Sequence, residues 1–112
     1  MYCVCINDSK APLGEGIPQW CRVFDRKPSQ WDFSRSIHEF LMSSDTQDFQ
    51  AKIFSLSDTV DEESRLVVIT DGNHKNFVGM FLDECVEVDL VQVINSEGQS
   101  VIAPRSLVKC IA

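Results

Sequence analysis

The sequence predicts an α+β fold in which a small five-stranded β-barrel fills the C-terminal half, with an N-terminal strand–helix–strand addition ahead of it. Three observations point there. From Leu66 onward, short apolar and β-branched runs are separated by turn residues, Asp71-Gly72-Asn73 and Ser96-Glu97-Gly98. Gly79 lies inside the second of these runs, where the missing side chain lets a strand bend or another backbone come close. Only one segment of the chain, following Lys27-Pro28, carries a helical apolar stripe.

Taken in order, Tyr2 to Ile6 alternates Tyr2, Val4 and Ile6 against Cys3 and Cys5 and reads as a strand. Residues 11–18 hold Pro12, Gly14, Gly16 and Pro18 and read as a loop, and Trp20–Phe24 as a second short strand. Ser29 and Asp32 have the spacing of a capping box. Phe33, Ile37, Phe40 and Leu41 then fall at i, i+4, i+7 and i+8, so the helix is placed at 30–43, closed by Ser43-Ser44-Asp45. Arg35 and Glu39 form an i, i+4 pair on its exposed side. Phe49–Leu56 reads as a strand although its apolar positions follow no single period. The five barrel strands are Leu66–Thr70, Phe77–Cys85, Leu90–Ile94, Gln99–Ala103 and Val108–Ile111, with one 3₁₀ turn at Pro104–Leu107 before the last.

A length of 112 residues suits a single domain, 1–112, with portions 1–60 and 65–112. Apolar residues make up 44%, enough to build a core without metal or disulfide staples. Met1 to Ser9 has no basic run leading into a long apolar stretch, and no apolar run approaches the ~20 residues that span a bilayer. The expected location is cytoplasmic. The five cysteines, Cys3, Cys5, Cys21, Cys85 and Cys110, are an odd number that fits buried free thiols better than a disulfide framework.

The barrel residues resemble the SH3-like and KOW-type small β-barrels. The likeness rests on Val68-Ile69-Thr70-Asp71-Gly72, on Phe77-Val78-Gly79-Met80-Phe81, on Val91-Gln92-Val93, and on Val101 through Leu107 with Pro104 ahead of the turn. It covers about residues 65–112. The resemblance implies a glycine-bearing second strand bent across both half-sheets and a closed ring that hides its edges. It implies an architecture that hosts many activities and does not imply one of them. The basic loops of KOW modules are missing, and the barrel half carries only Phe77 and Phe81 in place of the aromatic groove with which SH3 domains bind polyproline.

The formal charge of −7 is unevenly placed. Residues 1–57 hold seven acids and six bases; residues 58–112 hold ten acids and four bases. Such a C-terminal half repels a phosphate backbone, so nucleic acid is not the expected partner. No P-loop, nucleophile elbow, HExxH or Rossmann glycine pattern is present, and nothing brings His38 or His74 beside a cysteine, so no enzyme is expected. Cys3 and Cys5 lie on one face of a strand, about 7 Å apart at Cα, a spacing that binds metal if Cys21 or Cys110 joins. The expectation is instead that they line the core, with no metal and no cofactor.

These readings lead to a non-catalytic protein-interaction module with a protein partner, basic if it meets the acidic half. The candidate contact residues are Asn73, His74, Asn76 and Phe77 in one loop, Asp83, Glu84, Glu87 and Asp89 in an acidic turn, and Arg105 beside the 3₁₀ turn. One alternative is an inhibitor of the kind phages and mobile elements encode, its acids (with Asp61, Glu62 and Glu63) imitating phosphates toward a basic host protein. Another is a nucleic-acid-contacting module using the Arg22–Arg35 segment, where Arg22, Arg26, Lys27 and Arg35 stand near Trp20 and Trp31. The same basic segment could meet the acidic half of a second copy and form a homodimer.

Overall fold

The computed structural model describes residues 1–8, 16–45, 48–58, 66–82 and 89–111. Eight strands, one α-helix and one 3₁₀ turn follow in the order β1 (Tyr2–Asp8), β2 (Trp20–Phe24), α1 (Gln30–Ser43), β3 (Phe49–Ser57), β4 (Leu66–Ile69), β5 (Val78–Leu82), β6 (Leu90–Ile94), β7 (Ser100–Pro104), the 3₁₀ turn Arg105–Leu107, and β8 (Val108–Ile111). All pairings are antiparallel, and the strands form one sheet in the order β2-β1-β3-β8-β4-β5-β6-β7.

This overturns the expected closed five-stranded barrel with an appended N-terminal part. The five C-terminal strands are neighbours in the order β8-β4-β5-β6-β7, but the ring stays open. The outer edge of β8 is taken by β3, through Leu56↔Ile111 and Ser57↔Cys110, while its other edge holds β4. β3 in turn pairs along β1 from Tyr2↔Ser55 to Asp8↔Phe49. The N-terminal strands are therefore the continuation of the sheet, which curls as a half-barrel. No described strand covers the outer edge of β7.

Pairing on both edges and cover on both faces explain the strand sequences. In β1, Val4 and Ile6 face α1, while Cys3 and Cys5 face the opposite way, and all four are fully buried. In β4, Val67 and Ile69 enter the C-terminal core with Val91, Val93, Ala103 and Val108, and Val68 enters the cysteine-bearing core with Val78 and Ile111. Strands covered on both faces read as continuous apolar runs. β3 shows why its period looked irregular. Phe49, Ala51 and Ile53 pack under the helix, and Phe54 and Leu56 pack on the other face. One strand thus serves two cores.

Helix α1 begins at a complete capping box. The Ser29 hydroxyl oxygen accepts from the Asp32 amide at 3.2 Å, and the Asp32 carboxylate accepts from the Ser29 amide at 3.0 Å. The Ser29 amide, and then the Ser29 hydroxyl donating to the same carboxylate at 3.0 Å, hold the Asp32 carboxyl below the usual carboxylate range. Phe40 docks edge-on against Phe49 of β3, ring centroids 6.4 Å apart. The 3₁₀ turn is tied back by Thr70, whose amide and hydroxyl both donate to the Leu107 carbonyl at 2.8 and 2.9 Å. Lys109 of β8 pairs with Asp58 at the end of β3, which locks the same junction from outside.

At Gly79 the backbones of β5 and β6 crowd together. A Cβ there would stand 2.1 Å from the Ile94 carbonyl oxygen. That backbone oxygen cannot yield without breaking the β5–β6 ladder. Gly79→Ala should therefore cost at or above the upper end of the ~1–3 kcal/mol seen for overpacked sites, read from the denaturation midpoint; an unchanged midpoint contradicts the close approach. Ser29→Ala should cost about 1 kcal/mol at neutral pH. The Asp32 pKa is lowered in the folded chain, so its contribution is present above the unfolded carboxylate pKa and is lost as pH falls through the lower folded value. The wild-type advantage over Ser29→Ala should shrink on acidification through that window; a difference that stays constant contradicts the box.

Candidate functional site

The most concentrated chemistry in the described structure is a triad of thiols. The β-strand period of two places Cys3 and Cys5 on the same face of β1, and the β1–β2 register sets Cys21 directly opposite Cys5. The sulfurs of Cys3 and Cys5 are 3.7 Å apart, those of Cys5 and Cys21 3.8 Å, and all three lie within 4.8 Å of one another. Relative exposures of 0%, 0% and 5% put the group inside the core, against Val23, Val68, Val78 and Ile111. All three are free thiols.

The thiols share their protons unequally. Hydrogen bonds from Cys21 and then from Cys5 hold Cys3 down at about 5, against the opposing effect of burial. Cys21 is pushed up by its bond to Cys3, next by its bond to Cys5, and by burial. For Cys5 the bond with Cys21 acts downward, but the bond with Cys3, burial and the Cys3 charge together push it up. The expectation that Cys3 and Cys5 line the core meets a structure in which they do so together with Cys21. Cys110 is buried elsewhere, its sulfur 3.8 Å from the Ile111 carbonyl oxygen, and Cys85 lies outside the described residues.

A cleft lined in part by Cys21 lies beside this triad. Trp20 and Cys21 of β2, Asn76 to Val78 at the start of β5, and Asn95 to Glu97 at the β6–β7 hairpin enclose about 250 Å³. Its mouth continues past Gln19 and Trp20 toward Ser43 and Ser44 at the end of α1, where a second hollow of about 430 Å³ opens. The hairpin wall is rigid: the Asn95 side-chain oxygen accepts from the amides of Glu97 and Gln99 at 3.0 and 2.9 Å, and Gly98 takes φ +83°.

Six of the nine residues expected to contact a partner lie among the described residues. Asn73 and His74 are exposed in the loop after β4, and Arg105 and Asp89 are exposed beside each other, the Arg105 amide donating to the Asp89 carbonyl at 2.8 Å. Asn76 has a structural duty instead. With φ +74°, it turns its side-chain oxygen onto the Val23 amide at 2.8 Å and so closes the outer edge of β2 against the β4–β5 connection. Phe77 packs into the C-terminal core. Asp83, Glu84 and Glu87, like Asp61, Glu62 and Glu63, lie outside the described residues.

The basic segment is also partly spent. Arg22 of β2 pairs with Glu39 of α1, and Arg35 approaches the same carboxylate at 3.6 Å; Arg26 and Lys27 are exposed. Trp20 lies half-buried and packs in the core beneath the helix. Trp31 is different. It is 73% exposed, and Met42, eleven residues on, is 76% exposed. At 100° per residue, positions 31, 35, 38 and 42 share one side of the helix, opposite the buried Ser36 and Phe40. The sequence signal for this face was available: Trp31 and Met42 stand off the Phe33–Ile37–Phe40 stripe.

No helix among the described residues is long and apolar enough to cross a membrane. Comparison with protein-family models, with curated proteins and with solved structures finds no match.

Proposed function

We propose that the chain is a non-catalytic protein-interaction module of the cytoplasm and that the outer face of α1 is its contact surface. The observation that carries this reading is the pair Trp31 and Met42, two large apolar side chains left at 73% and 76% exposure on one side of a capped, well-anchored helix. Neither adds to the core, so their retention on the surface is better explained by a partner than by folding. Tryptophan is the residue most enriched at binding hot spots, and methionine adapts its shape to an apolar groove. Trp31 and Met42 stand at i and i+11 on one face, three helical turns apart, so both can enter one long groove.

Charge defines the rim. Arg35 and His38 stand between the two anchors, and Arg26 and Lys27 precede the helix. This side of an otherwise acidic chain favours an apolar groove edged by carboxylates. The acidic half of a second copy offers such an edge, which keeps self-association within the same reading. The non-catalytic part of the reading rests on the sequence patterns, which include no P-loop, nucleophile elbow, HExxH or Rossmann glycine motif. Support for the cytoplasm is the set of free buried cysteines, at home in a reducing compartment.

The test pairs Trp31→Ser/Met42→Ser with a control in which Asn73, His74 and Arg105 become alanine. Sedimentation at low and high salt reports self-association, and affinity capture from cells followed by direct titration of the recovered partner reports a foreign one. Loss of a tryptophan hot spot costs at least ~2 kcal/mol, about thirtyfold in Kd, so the helix variant should lose the interaction while its melting temperature stays put. Retention by the helix variant, or loss only in the control, overturns the assignment.

A further inference from the structure

We propose that Cys3, Cys5 and Cys21 form a sulfur-only, three-coordinate site for one thiophilic trivalent ion of the arsenite class. The argument starts from spacing. Sulfurs bound at about 2.3 Å to one three-coordinate centre stand roughly 3.4–4.0 Å apart, from a pyramidal to a planar arrangement. The Cys3–Cys5 and Cys5–Cys21 separations, 3.7 and 3.8 Å, already fall in that range, and the third side of the triangle is no longer than 4.8 Å. Two strands whose register is fixed by the β1–β2 ladder hold the three ligands, so little ordering remains for a bound ion to impose.

Ligand number and charge then choose the ion. Among the described residues, no fourth histidine, cysteine or carboxylate belongs to the group. Structural zinc is almost always four-coordinate, and three thiolates would leave a zinc ion short of a ligand and the buried site at −1. Monovalent copper accepts thiolates but would leave −2. The surrounding Val23, Val68, Val78 and Ile111 offer nothing to balance either charge. A trivalent centre with three thiolates is neutral and needs no other ligand. Arsenous acid enters uncharged: three As–O bonds break and three As–S bonds form. Each thiol proton leaves with a hydroxide as water, and no oxidation state changes. The cleft beside Trp20, Cys21, Asn76 and Val78 is the route in.

The site would join β1 to β2 at the end of the sheet, so binding should also raise the melting temperature. The test titrates the reduced full chain with sodium arsenite under nitrogen, with zinc(II) and copper(I) as parallel and competing arms. Native mass spectrometry should show one arsenic per chain with three protons lost, and X-ray absorption should show three sulfur neighbours. Alkylation with peptide mapping should find Cys3, Cys5 and Cys21 blocked and Cys85 and Cys110 reactive once the chain is loosened by denaturant. Cys85→Ser should bind as wild type does, while Cys5→Ser and Cys21→Ser lose stoichiometric binding. Should the serine variants fail to fold, the wild-type absorption spectrum and cysteine map decide alone. Absence of bound arsenic, oxygen in its first shell, blockage of Cys85 or Cys110 in place of the triad, or displacement of arsenic by zinc or copper would overturn the proposal.

Discussion

Everything in this fold depends on the short ladder between β3 and β8. Two residue pairs, Leu56↔Ile111 and Ser57↔Cys110, join an N-terminal three-stranded sheet to a C-terminal five-stranded one. Once joined, the sheet curls, and Val68 and Val78 come to lie over Cys3, Cys5 and Cys21. The middle core exists only because of that curl. It is fed by β1 and β2 from one side and by β4, β5 and β8 from the other, with Phe54 and Leu56 of β3 at the join. Two polar clasps reinforce it across large sequence distances: Asn76 on the Val23 amide, and Lys109 on Asp58. The loss of solvent contact on both faces of β1 and β4 then supplies the apolar burial that opposes the entropy of ordering the chain.

The same constraint creates the chemistry. Three thiols are ordinary core residues when considered one at a time. They become a site because strand period and strand register stack them on one face, and because the curled sheet seals that face with valines and an isoleucine. Sealing sharpens the requirement for charge balance, since an unpaired charge is far costlier there than at the surface. On the opposite face of β1 the helix is anchored through Phe33, Ile37 and Phe40, which frees its outer side to carry Trp31 and Met42. The two features occupy opposite sides of one strand and draw on separate side chains.

Much of the local structure was legible in the sequence. The helix bounds, the capping box, the 3₁₀ turn and the hairpin at Ser96–Gly98 are written in short-range patterns that hydrogen-bond geometry enforces within a few residues. Gly79 announced a close backbone approach, and Ile94 provides it. The architecture was not legible, because it turns on whether the outer edge of β8 meets β7 or β3. Edge pairing leaves almost no trace in side-chain pattern: either partner satisfies the same backbone groups. The clue that did exist was β3, whose apolar residues on both faces, Phe49/Ala51/Ile53 and Phe54/Leu56, mark a strand inside a sheet shared by two cores. The thiol triad was half legible for a related reason. The Cys3-x-Cys5 spacing fixes a common face, but choosing Cys21 over Cys110 required the β1–β2 register.

The central claim is that the two halves fold as one sheet through the β3–β8 ladder, and native-state hydrogen exchange tests it most directly. Ile111→Ala removes a buried side chain at the join and should destabilise the chain by about 2–5 kcal/mol. If the sheet is continuous, the slow amides of β1 and of β4 will lose protection by the same free energy, as members of one cooperative unit. Loss of protection confined to β4–β8, with β1–β3 opening at their own unchanged free energy, would mean two independent halves in contact and would contradict the fold described.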